Sequence, residues 1–349
     1  MRGMEKGNEL EEQMKRMLKC IGIVLVFALA AGTLWAAGPL DPSKVVFAMV
    51  TNQSGLGDQS FNDAAWEGLA QAVQKFGVQR KVLESREQAQ YVPNLSTLAE
   101  QKASLIVGVG FMIKDAVAEA AKMFPGSNFA LVDGATNLPN VADIAFKENE
   151  GAFLVGVIAA KVTKTGIIGF VGGVSTPVTN KMEAGYKAGA LSVNPNIKVL
   201  TSYAGSFADP AKGEEMAIPQ YDQGAEVIFQ VAGQTGLGVI NAAKKKGKFV
   251  IGIDRDQNYL APANVLTSMV KRVDMAVLNA CAMVMNGTFK GGPYSYGLKE
   301  NAVDFATTGN LIPADVLALA KVVKAKILSG EINPPSTYAE LAAFKPPKL

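Results

Sequence analysis

The chain contains no histidine. That excludes every Ser-His-Asp or Cys-His catalytic arrangement and every histidine-ligated metal site. Only two cysteines are present, Cys20 and Cys281, too few for a disulfide framework or a multi-cysteine metal centre. Charge of one sign is not in excess either. The 34 Lys and Arg face 31 Asp and Glu, a formal net charge of +3, too balanced to point to a nucleic-acid partner. Phosphate-binding glycine patterns are also missing where glycines cluster. Gly233-Gln234-Thr235-Gly236-Leu237-Gly238 and Gly172-Gly173 fit neither G-x-G-x-x-G nor G-x-x-x-x-G-K-[ST]. What remains is a 349-residue chain that is 49% hydrophobic and 19% charged, enough core material for two or three ordinary domains.

The N-terminus has its own pattern. Lys15-Arg16-Met17-Leu18-Lys19 precedes an apolar run over 21–31, broken only by Gly22, and the small residues Ala36-Ala37-Gly38 follow. Basic, apolar and small segments in that order predict a secretory signal peptide over 1–37. The run falls short of the roughly 20 residues a transmembrane helix needs; a retained anchor is the alternative. Residues 1–13 are polar and acidic, and Met14 is the better start of such a signal. Leu29-Ala30-Ala31-Gly32 is followed by Thr33, and Cys20 precedes the apolar run. Cleavage to a soluble cell-envelope protein is therefore expected rather than lipidation. Cys281 lies in the apolar helical stretch 277–284 and reads as a buried structural thiol.

Beyond the leader, short β-rich runs alternate with amphipathic helices. Strands are predicted at 45–50, 105–109, 128–133 and 141–146, with helices at 62–76, 114–123 and 150–162. Trp66, Leu69, Val73 and Phe76 share one face of the first helix, and Ser60 with Asp63 would cap it. The series then restarts. Strands at 165–171, 198–203, 227–231, 249–254 and 265–270 alternate with helices at 180–192, 210–223, 237–246 and 272–286, before a last helix at 313–329. Buried β-runs alternating with helices predict parallel sheets covered on both faces. Two series predict two α/β lobes, with ligands at the carboxyl ends of the strands.

Polar and glycine clusters fall at those ends. Asn52 to Asn62 leads from a strand through a glycine-containing loop to Phe61 at a helix start. Ser202 to Asp209 likewise carries Phe207. Either aromatic is presented to a ligand or packs in the core; one per lobe would sandwich a flat ring, worth about 1 kcal/mol beyond burial. Asp254 at a strand end can accept from vicinal hydroxyls, with Lys271 as its candidate basic partner; solvated loop acids are the alternative. Lys244-Lys245-Lys246 closes a helix and complements its dipole.

Five segments together resemble the basic membrane protein family, also called purine nucleoside receptor A-like, the substrate-binding proteins of ATP-driven importers. They are Gly57-Asp58-Gln59-Ser60-Phe61-Asn62, Phe170-Val171-Gly172-Gly173, Gly205-Ser206-Phe207-Ala208-Asp209, Ile251-Gly252-Ile253-Asp254-Arg255-Asp256-Gln257 and Thr267-Ser268-Met269-Val270-Lys271-Arg272-Val273-Asp274. The resemblance spans about 44–329. It implies an α/β, two-lobed type I periplasmic-binding-protein fold, each lobe a parallel sheet flanked by helices, with three crossovers. One lobe would comprise 41–147 plus 257–306 and the other 148–256 plus 307–340. It also implies a purine nucleoside ligand, an ABC permease as membrane partner, a monomer, no cofactor, no metal and no enzymatic activity. Phe61 and Phe207 would sandwich the base, Asp133 would bond its edge, Asp254 and Lys271 would hold the ribose hydroxyls, and Gly233 would offer its backbone. Asn52 and Asn62 complete the expected ligand-binding set.

Two features depart from the family. It often has Asp nine residues before the Phe of Ser-Phe-Asn, where this chain has Asn52. An ionised Asp only accepts hydrogen bonds, whereas Asn also donates, so preference between amino- and oxo-purines is expected to shift. The lipid-attachment Cys is the second departure. The alternatives are the same fold binding a sugar, signalling molecule or other metabolite, and a nucleoside hydrolase. The hydrolase needs an aspartate-lined calcium site, for which the segment 52–63 offers only Asp58 and Asp63.

Overall fold

Ten helices and twelve strands of the computed structural model are used below. It describes Met14, residues 40–347 and Leu349, so the predicted signal segment and Cys20 lie outside the described residues. The first strand, β1 (Val46–Val50), is an apolar run buried on both faces and forms the inner part of a six-stranded parallel sheet. Around it lie β2 (Gln79–Leu83), β3 (Leu105–Val109), β4 (Phe129–Val132), β5 (Val141–Phe146) and β11 (Gly292–Tyr296), in the order β11-β5-β4-β3-β1-β2. A second six-stranded sheet contains β6 (Ile167–Gly172), β7 (Lys198–Tyr203), β8 (Val227–Val231), β9 (Phe249–Asp254), β10 (Val265–Lys271) and β12 (Val303–Phe305). Its order is β12-β10-β9-β8-β6-β7. Its pairings are parallel except for β12, which runs antiparallel to β10.

The helices are α1 (Phe61–Phe76), α2 (Tyr91–Glu100), α3 (Lys114–Met123), α4 (Glu148–Val162), α5 (Pro177–Val193), α6 (Pro210–Asp222), α7 (Gly236–Lys246), α8 (Val273–Met285), α9 (Ala314–Leu328) and α10 (Tyr338–Ala343). They cover the sheets as the alternating pattern requires. The largest apolar cluster runs from Phe47 and Val107 of the first sheet through Phe153 and Val157 of α4 to Phe170 and Phe229 of the second. Cys281 on α8 is fully buried within it, and burial pushes its thiol pKa up.

The chain passes between the sheets three times: after β5, after β10, and between β11 and β12. The passages lie side by side. Lys147 N donates to Tyr296 O (2.8 Å), and Arg272 N to Ala302 O (2.7 Å). Two of the expected boundaries differ. The segment 257–271 does not join the first sheet, because β10 pairs with β9 from Val265↔Val250 to Val270↔Asp254, with a register shift between Val265 and Thr267. The loop after Asp254 is a short connection within one sheet, and the crossing falls at Lys271–Arg272. The third crossing precedes β12, so 303–306 also belongs to the second sheet.

Candidate functional site

The loop between β1 and α1 is organised by one buried carboxylate. Asp58 accepts backbone N–H bonds from Ser60 (2.9 Å), Asn62 (2.8 Å) and Asp63 (3.1 Å), the otherwise unpartnered donors of a helix start. This replaces the expected Ser60–Asp63 capping pair. The Ser60 hydroxyl makes no cap bond, and Asp63 instead receives N–H bonds from Gly57 (2.8 Å) and Gln59 (2.9 Å).

The same carboxylate fixes the orientation of Asn52. Asp58 can only accept, so the Asn62 atom at 3.0 Å from its Oδ2 is the amide nitrogen. That nitrogen donates its second hydrogen to Asn52 Oδ1 at 2.9 Å. Ser54 N also donates to Asn52 Oδ1, at 3.0 Å. Two donors on Oδ1 leave Asn52 Nδ2 as the group offered to the cavity. It stands beside Gly110 (φ +109°), where a Cβ would come within 3.4 Å of both Asn52 Nδ2 and the Phe61 ring.

Asn52, Phe61, Asp133, Phe207, Gly233, Asp254 and Lys271 all line one cavity between the sheets. Asn62, the eighth expected residue, is fully buried behind the wall and acts on Asn52 rather than on the cavity. Phe207 rests on bare backbone: a Cβ at Gly173 would lie 2.3 Å from its ring. Four hydrogen bonds close the cavity between the sheets. Ser54 Oγ donates to Phe207 O (2.9 Å), Ser60 Oγ to Asp254 Oδ2 (2.5 Å), Gln257 Nε2 to Gln59 O (3.0 Å) and Tyr259 OH to Gln59 Oε1 (2.6 Å).

The charged groups are arranged differently from the expected Asp254–Lys271 pair. Lys271 is 1% exposed, and its ammonium donates to both oxygens of Asp133 (2.7 and 2.6 Å) and lies 2.9 Å from Glu148 Oε1. It also stands 5.0 Å from the Phe61 ring centroid and 4.9 Å from that of Phe146. Burial opposes the charge on Lys271, but Asp133, Glu148 and Asp254 together hold its pKa above the ordinary lysine range. Asp254 accepts from a hydroxyl instead. Burial raises its carboxyl to about 7, against the opposing pull of Lys271 and Ser60. Asp133 and Asp254 both adopt left-handed backbone (φ +66° and +64°), a strain of about 1–3 kcal/mol each for a non-glycine residue.

Sequence reasoning missed Glu148, which is 1% exposed. An acid in the first turn of a helix ordinarily answers the helix dipole, so nothing in the pattern marked it. Asp58 stood inside a quoted motif without a role. Thr176 at the N-cap of α5, Thr179 and Met182 within it, and Met112 also line the cavity and carried no sequence signal.

Two α/β lobes shut on a polar and aromatic cavity, with strand ends converging on it, are the frame of a solute-binding protein. Residues 45–337 match the family described as ABC transporter substrate-binding protein PnrA-like, and the chain belongs to that family; its members bind substrate and are not enzymes. Among relatives, the CD4+ T-cell-stimulating antigen of Listeria monocytogenes is 41% identical, over 82% of this chain and 87% of its own. The ABC transporter nucleoside-binding protein BmpA of Lactococcus lactis is 38% identical, over 83% and 88%. An ABC transporter solute-binding protein from Aeropyrum pernix K1 superposes with a TM-score of 0.78 at 29% identity, over 86% of this chain and 96% of its own.

Proposed function

We propose that this solute-binding protein captures a purine nucleoside outside the cytoplasm and delivers it to the membrane permease of an ABC importer. The observation that carries the reading is the composition of the cavity. Phe61 and Phe207 come from opposite lobes, and the same cavity is lined by a fixed amide donor, Asn52, and by the carboxylate of Asp254, which is in contact with the Ser60 hydroxyl rather than with a cation. One aromatic ring from each lobe offers a face to a flat base, and an ionised Asp254 can accept two hydrogen bonds from a vicinal diol. The 38% identical relative named as nucleoside-binding supports the same class. In this reading the segment 1–37 serves to export the protein to the side of the membrane where import begins. The ligand touches both lobes and so favours the closed state over the open one.

Calorimetric titration of residues 38–349, unfolded and refolded to strip carried-over ligand, tests this with adenosine, guanosine, inosine, cytidine and ribose. One-to-one purine nucleoside binding with weaker cytidine and no ribose is expected. Ribose binding, or indifference to all five, would overturn the nucleoside assignment.

A further inference from the structure

The Lys271 ammonium has three N–H groups and is surrounded by three carboxylate oxygens, two from Asp133 and one from Glu148. Asp133 belongs to the first sheet. Glu148 starts α4, directly after the first crossing, and Lys271 ends β10, directly before the second. The far oxygen of Glu148 accepts from Lys181 Nζ of α5 at 2.9 Å, and the same ammonium donates to Phe146 O at 3.0 Å. Charges thus alternate along Lys181, Glu148, Lys271 and Asp133, from a helix of the second lobe to the wall of the first. The third crossing is tied to its neighbours by backbone bonds. The first and second are tied by the Lys271–Glu148 pair.

We propose that Glu148 and Lys181 are positioning residues of the ligand site. Neither lines the cavity. Glu148 holds the Lys271 ammonium on the second lobe at the point where Asp133 and the face of Phe61 meet it. It thereby sets one carboxylate and one aromatic ring of the opposite wall. Lys181 neutralises the outer oxygen of Glu148, so that the carboxylate is shared between two cations rather than drawn wholly onto Lys271. Without Glu148 the ammonium has only Asp133 to follow and moves with the first lobe.

The inference rests on the nucleoside reading, and its test separates the two. Adenosine and inosine are titrated into the unaltered protein, Glu148→Gln, Lys271→Met and the double variant, each first shown to be folded by its unfolding transition. Glu148→Gln is expected to weaken binding about tenfold, and to change it by less than about twofold once Lys271 is Met, because contacting residues acting through one another are non-additive. In a parallel pair, Lys181→Met is expected to lose affinity and Lys181→Arg, which keeps the cation beside Glu148, to retain most of it. If Glu148→Gln does not fold, the cycle is run with Lys181→Met against Lys271→Met. Equal losses in both Lys271 backgrounds would overturn the positioning role while leaving nucleoside binding intact. Failure of the unaltered protein to bind any nucleoside would overturn both.

Discussion

Asn52→Asp changes one atom's chemistry and leaves its support in place. Oδ1 keeps its bonds from Ser54 N and Asn62 Nδ2, so the loop and Phe61 should stay where they are. The group offered to the cavity becomes a carboxylate oxygen instead of an N–H. A base that presents an acceptor to Asn52 then faces a second acceptor. Leaving such a buried polar group unpaired costs about 1–3 kcal/mol, or about 5- to 150-fold in affinity. A base edge carrying only donors gains instead. Titration of both proteins with adenosine, inosine, guanosine and the 1-deaza and 7-deaza analogues reads this directly. In the unaltered protein one acceptor deletion should weaken binding by that factor; in Asn52→Asp the same deletion should cost little. Guanosine, whose base places two adjacent donors on one edge, should rise relative to inosine in the variant. Identical ligand profiles for the two proteins would refute the orientation derived from Asp58, Asn62 and Asn52.

Other expectations follow from the same groups. Phe61→Ala and Phe207→Ala should each lose about 2–3 kcal/mol of base binding, about 30- to 150-fold in Kd, measured by calorimetry; ribose-type affinity persisting unchanged would show that the rings do not hold a base. With its carboxyl at about 7 against ~3.9 unfolded, Asp254 leaves stability intact below pH 4, where both states are protonated; stability then falls as pH rises to 7, by up to about 4 kcal/mol. Asp254→Asn should therefore raise the unfolding temperature at pH 8 but not at pH 4, and lose ligand binding at pH 8, where the unaltered carboxyl is ionised. Diol binding to the ionised carboxylate should weaken as pH falls through 7, and Ser60→Ala, which removes a hydrogen bond that lowers this carboxyl, should move that midpoint upward. Cys281 of residues 38–349 should resist alkylation until the protein is unfolded, since burial keeps its thiol protonated; rapid native-state labelling would contradict its placement.

The inner strands were legible because burial on both faces leaves nearly unbroken apolar runs, as in β1, β3 and β8. The strand β2, Gln-Arg-Lys-Val-Leu, was not, because an edge strand faces solvent and carries charge; β11, with its alternating half-exposure, escaped for the same reason. The cleft residues stood out where a strand end met a glycine or an acid, as at Asp133, Gly233 and Asp254. Their pairing did not. Lys271 lies 17 positions after Asp254 but 138 after Asp133, and only the order β4, β5 and the crossover brings Asp133 and Glu148 to the same ammonium. The lobe boundary at 257 was misplaced because a turn within one sheet and a crossing between two carry the same loop residues.

More acid than base is buried around the cavity. Asp133, Glu148 and Asp254 face Lys271 and Lys181, and Asp254 has only the Ser60 hydroxyl in direct contact. Burial between the lobes desolvates that carboxylate. In the proposed function, a bound nucleoside would offset that cost. Stacking on the ring of the second lobe contributes about 2 kcal/mol, and two hydroxyls on an ionised Asp254 about 1.5–3 kcal/mol each. Together these reach the roughly 5.5 kcal/mol that moves a two-state equilibrium from almost wholly open to almost wholly closed. Contacts to Asn52 and Phe61, present on the first lobe in either state, set which base is held but add little to that difference. Selection and closure are thus assigned to opposite walls, with the Asp133–Lys271 bond joining them.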